Sequence, residues 1–105
     1  MTNLAKELTA LAQQMELSLE VVEYCYEAGL VQHPASDTDL AELRRARRLQ
    51  RLEVNPPGIE IILHMRRRMV EMQREMATLT AEMEAAQTRF EQKMRELRRR
   101  LAQDI

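Results

Sequence analysis

Tryptophan is missing from this chain of 105 residues, and its rings come to two tyrosines and one phenylalanine. So few aromatics argue against a sheet sandwich or a ring-lined cavity. A single cysteine excludes an internal disulfide and fits a reducing compartment. No apolar run approaches the ~18–20 residues needed to cross a bilayer. The opening MTNLAKELTALAQQ lacks a basic start followed by an apolar run, so no secretory leader is expected. Glycine loops that cradle phosphate are absent, as are catalytic signatures. No enzyme, cofactor or metal site is expected. His33, His64 and Cys25 lie too far apart in sequence to suggest shared ligation.

What is present suits helices. Apolar residues make up 45% and are mainly Leu, Met, Ala, Val and Ile, while charged residues reach 31%. The expectation is an all-α, soluble, cytoplasmic protein. Its net charge of −1 gives no overall footprint for nucleic acid, but the charge is divided. Residues 1–43 hold one base, Lys6, against eight acids; residues 44–105 hold fifteen bases against nine acids.

Along the chain, Asn3 is placed to cap a first helix with Leu4, Leu8, Leu11 and Met15 on one face. Ser18 can cap a second helix with Leu19, Val22 and Tyr26 inward, and Gly29 closes it. Two short helices joined tightly suggest a helix-turn-helix unit. Ser36 or Asp37 starts a third helix with Leu40, Leu43, Ala46 (or Arg47) and Leu49 inward. The corner VNPPG follows, where Asn55 caps a last helix, Pro56 takes the first helical position, and Gly58 completes the turn.

After Gly58 there is neither glycine nor proline for 47 residues. Apolar residues run Ile62, Met65, Met69, Met72, Met76, Leu79, Met83, Ala86 and Phe90, stepping by three and four as a heptad seam does. Met94, Leu97 and Leu101 continue it after a stutter near Phe90. A helix of ~45 residues extends roughly 68 Å, and so small a protein cannot cover that stripe itself. The seam predicts a coiled-coil homodimer, parallel or antiparallel. The expected organisation is a head over residues 1–54 and a dimerisation helix over 55–105.

Other features read more plainly. Arg44, Arg45, Arg47, Arg48 and Arg51 form a basic helix face that is solvated and can pair with acids. Arg66–Arg68 and Arg98–Arg100 wrap around their helix as solubilising flanks. Cys25 reads as a small buried hydrophobe.

The order of helix-turn-helix, YEAGLV, DTDLAELRRARRLQRLEVNPPGIEIIL and long helix resembles the MerR-type superfamily over roughly residues 5–80. The corner from Glu53 to Ile59 is closer to the CbpM branch, the modulators of DnaJ-type cochaperones. DNA-binding MerR members carry arginine where Glu23 stands here. Glu20, Glu23 and Glu27 offer three acids and no base where phosphates would approach. The segment VQHPAS is also too short for the wing hairpin. The resemblance therefore implies a MerR-like head without its wing, and a function in modulating a DnaJ/CbpA-type cochaperone. Glu20, Glu23, Tyr24 and Glu27 would meet the basic helix of its J-domain. A MerR-like transcription regulator using the arginine helix, and a coiled-coil adaptor with an unrelated partner, remain open. Nucleic acid is the less expected partner and a membrane is not expected.

Overall fold

A computed structural model describes residues 2–104. It holds four helices: α1 (Thr2–Met15), α2 (Leu19–Glu27), α3 (Asp37–Arg51) and α4 (Pro56–Asp104). Among the described residues there is no strand, so the link from α2 to α3 forms no wing. The all-α class expected from composition is the one observed. By compactness the chain divides into one unit through Arg68 and another from Met69.

Helix ends explain the corners of the first unit. Ser18 is the N-cap of α2 and accepts from the Val21 amide at 3.3 Å. Its own amide donates to Gln50 Oε1 at 2.9 Å, which ties α3 to the same end. Ser36 caps α3 in a reciprocal box with Asp39, whose carboxylate accepts from the Ser36 amide at 2.9 Å. Asn55 Oδ1 accepts from the Gly58 amide at 2.8 Å. A Cβ on Gly58 would come within 2.8 Å of that oxygen, which explains the glycine three residues after the cap. One expected cap is corrected: α1 already includes Thr2, so Asn3 lies inside the helix rather than at its N-cap.

All three head helices end with a residue in left-handed backbone. Gly29 has φ of 75°, while Glu16 and Glu53 adopt 56° and 65°. After α2, the Gly29 amide donates to Tyr26 O and the Leu30 amide to Cys25 O. That is the double closure of a Schellman motif, and α1 and α3 repeat it with Glu16–Leu17 and Glu53–Val54.

The core gathers Leu8, Ala12 and Met15 of α1 with Val21, Val22 and Cys25 of α2. Leu43 and Ala46 of α3 and Ile59 and Leu63 of α4 complete it, with Leu40 and Leu49 at its edge. Leu19 is corrected here: it is 38% exposed, and Val21 and Cys25 take the inward positions. The bend from Glu16 to Ser18 rotates the start of α2 so that Leu17, just before the cap, is the residue buried. Because Ile59 and Leu63 belong to this core, the first turns of α4 are part of the head.

In the second unit, α4 carries its apolar residues to solvent. Met69, Met72, Met76, Leu79, Met83, Phe90, Leu97 and Leu101 are all exposed, as are Ile62 and Met65 on the first turns.

Candidate functional site

The second helix of the helix-turn-helix unit presents two chemically opposite faces. Burial of Val21, Val22 and Cys25 leaves Glu20, Glu23 and Glu27 exposed, with Tyr24 half-buried between them. Their spacing of three, four and seven residues places the four expected partner-binding residues along one stripe. None of the three carboxylates takes part in an ion pair among the described residues. Glu23 and Glu27 also rim a shallow groove of about 340 Å³ whose remaining wall is Leu4, Ala5, Leu8 and Tyr26. Tyr26, not Tyr24, is the aromatic ring of that groove. The site thus combines exposed negative charge with a small apolar floor between α1 and α2.

What holds this stripe in place was not visible as a motif. Arg67, three turns into α4, donates through Nε to Glu42 Oε2 at 2.9 Å. Its other nitrogens reach the carbonyls of Gly29 (3.5 Å) and Leu30. These are the carbonyls just past the end of α2, where a cation also complements the helix dipole. Glu42 is buried at 3% exposure, and its other oxygen lies 3.5 Å from Arg45 Nη1. The reading of Arg67 as a solubilising flank is therefore corrected. It is an anchor joining α4, α3 and the end of α2, formed across 25 residues of sequence.

The arginine helix is also largely engaged. Arg47 and Arg51 approach Glu16 Oε2 at 3.7 and 3.3 Å, and Arg45 faces Glu42. Arg44 and Arg48 remain exposed. Basic side chains that would have to meet phosphate are thus mostly turned to carboxylates of the same chain.

Cys25 is fully buried, and burial pushes its thiol up to about 11, helped by the Glu42 and Glu60 carboxylates and opposed by Arg67. A thiol so protonated at neutral pH is not a nucleophile. His33 sits 2.5 Å from Glu7, and His64 lies 3.9 Å from Glu60, each beside a single carboxylate.

A family model described as MerR HTH family regulatory protein matches residues 7–81. The chain belongs to that family. The match runs from α1 through the head and into α4, so the helix-turn-helix unit, the arginine helix and the first part of the seam all lie within it. Among curated proteins and among solved structures nothing matches significantly. Within the matched residues, the exposed side of α2 is acidic.

Proposed function

We propose that this MerR-family regulator acts by contacting protein rather than DNA, as a cytoplasmic modulator of a DnaJ/CbpA-type cochaperone. The observation that carries the reading is the exposed, unpaired stripe of Glu20, Glu23 and Glu27 on the helix that would otherwise enter a groove of DNA. Duplex affinity depends on Lys and Arg at phosphates, and three carboxylates there oppose it. The same stripe complements the basic helix through which J-domains engage DnaK, and opposite potentials favour fast, selective encounter. The resemblance of the Glu53–Ile59 corner to the CbpM branch supports this partner. Occupying that helix would make the protein an inhibitor of the cochaperone.

The seam from Ile62 to Leu101 supports a homodimer as the working unit. Each large apolar side chain removed from water contributes ~1.5–3 kcal/mol, and the stripe is exposed along its length, from Ile62 to Leu101.

Calorimetric titration of the J-domain into the wild-type protein and into Glu20→Lys/Glu23→Lys/Glu27→Lys tests the reading. Binding should be measurable for the first and abolished or greatly weakened for the second, with the dimer intact. Equal binding by both, or none by either, would reject it. The family match also supports a second reading, a DNA-binding regulator using Arg44 and Arg48. Sequence-selective, nanomolar mobility shifts at ~150 mM salt, where exposed charges are screened beyond ~8 Å, would favour that alternative.

A further inference from the structure

An apolar floor and unpaired charge meet in the groove between α1 and α2. Leu4, Ala5 and Leu8 of α1 form one bank, and Glu23, Tyr26 and Glu27 of α2 form the other. Among the described residues that line it, Glu20 and Tyr24 are absent. At about 100° per residue, Tyr24 lies roughly 160° around the helix from Tyr26, and Glu20 about 120°. The acidic stripe is therefore unequal. Glu23 and Glu27 border an apolar trough, whereas Glu20 borders solvent. Lys6, the single base among residues 1–43, is not in the walls either.

We propose that this groove receives a basic amphipathic α-helix of a partner protein. Its aliphatic row rests on Leu4, Leu8 and Tyr26, and its bases, one turn apart, meet Glu23 and Glu27. This rests on the protein-binding reading of α2 and gives that contact an apolar half. Two features of α2 call for a cation from outside. Glu23 and Glu27 are like charges four residues apart, which weakens an isolated helix. Glu27 is also the last residue of α2, where the helix dipole is already negative, and the last turn holds no base. Arg67 serves the carbonyls beyond that end but makes its ion pair with Glu42. Among the described residues neither Glu23 nor Glu27 has an ion-pair partner. Bases on a docked helix relieve both strains.

The walls decide the form of the occupant. Both banks are helices, whose backbone groups bond within the helix, so an extended peptide would find no ladder to join. A helix satisfies its own backbone and needs only a seat for its side chains. Glu23 and Glu27 are about 6 Å apart along the axis, four residues at ~1.5 Å each, matching bases four apart on a facing helix. Ala5 is exposed and the smallest wall residue, which leaves space for the incoming aliphatic row. The groove, about 340 Å³ and shallow, suits protruding side chains. A small ligand needs a pocket that buries most of its surface.

Calorimetric titration of the J-domain into the full chain, over a salt series, separates the two halves of the contact. Ala5→Trp fills the groove and leaves the acids in place. It should weaken binding roughly 10-fold or more with the salt dependence unchanged. Glu23→Gln/Glu27→Gln should weaken it by a similar factor and flatten the salt dependence, since it removes the charges that salt screens. Glu20→Gln should cost less than either Glu23→Gln or Glu27→Gln alone. J-domain binding that Ala5→Trp leaves unchanged would overturn the groove while the cochaperone reading stands. Glu20→Gln costing as much as the Glu23/Glu27 pair would also overturn it. A changed sedimentation coefficient for Ala5→Trp would show a second copy in the groove, and so contradict a foreign helix. Where the J-domain does not bind, a fluorescein-labelled synthetic helix, with leucines three and four apart beside lysines, probes the groove alone. Its binding to wild type, weakened roughly 10-fold or more by Ala5→Trp, would keep the groove and reject the cochaperone. Binding of neither probe would reject both.

Discussion

Arg67 and Glu42 are the pair on which the end of α2 depends. Replacing Arg67 by Met strands a buried carboxylate beside a more distant Arg45 and leaves two carbonyls without their donor. Because Arg67 is partly exposed, the loss should be about 1–3 kcal/mol rather than the full penalty of a buried charge. Urea unfolding of Arg67→Met checks this, and a further Glu42→Gln change should recover part of the loss. A second side chain gives a pH signature. Slight burial nudges the Asp39 carboxyl upward, but the Ser36 amide and hydroxyl outweigh it and hold the group below its ordinary 3.8. A depressed carboxyl stabilises the fold above its unfolded value and ceases to do so as pH falls through the folded one. Asp39→Asn should therefore flatten the stability-versus-pH curve below about pH 4 and leave its shape near neutrality unchanged.

Helix by helix, the sequence reported caps better than it reported anchors. Ser18, Ser36, Asn55 and Gly29 were legible because each residue type does locally what its position needs. Glu16 and Glu53 adopt the same left-handed turn as Gly29 with no marker, since burial of Leu17 and packing of Val54 force the backbone there. Glu53→Gly should accordingly stabilise the head by up to about 1 kcal/mol, the relief of a Cβ in left-handed backbone less the added chain entropy. Thermal unfolding would register that as a rise in Tm. Leu19 was misplaced because periodicity ignores the rotation a tight turn imposes on a nine-residue helix. Arg67 escaped notice for a related reason: a bond spanning 25 residues leaves no periodic trace. The single long helix of α4 and its apolar stripe were legible, since residues three and four apart fall on one side of a helix. A charge at its middle, Leu79→Lys, should dissociate the proposed dimer and reduce helicity by circular dichroism, since long helices in water rely on packing of an apolar face.

Taken whole, the molecule is net acidic at the head and net basic along the body, and among the described residues the acidic stripe of α2 makes no ion pair. Its composition and fold could be read from the residues; its partner could be approached only through resemblance and charge, because a binding face has no counterpart in a single chain. In the proposed function this stripe occupies the basic helix of a J-domain in competition with DnaK. Steady-state ATP hydrolysis by DnaK, stimulated by the J-domain cochaperone and titrated with this protein, measures that competition directly. Wild type should suppress the stimulated rate toward the basal one, excess DnaK should relieve the suppression, and Glu20→Lys/Glu23→Lys/Glu27→Lys should fail to suppress. A stimulated rate unaffected by wild type, or suppressed equally by the charge-reversed variant, would contradict it.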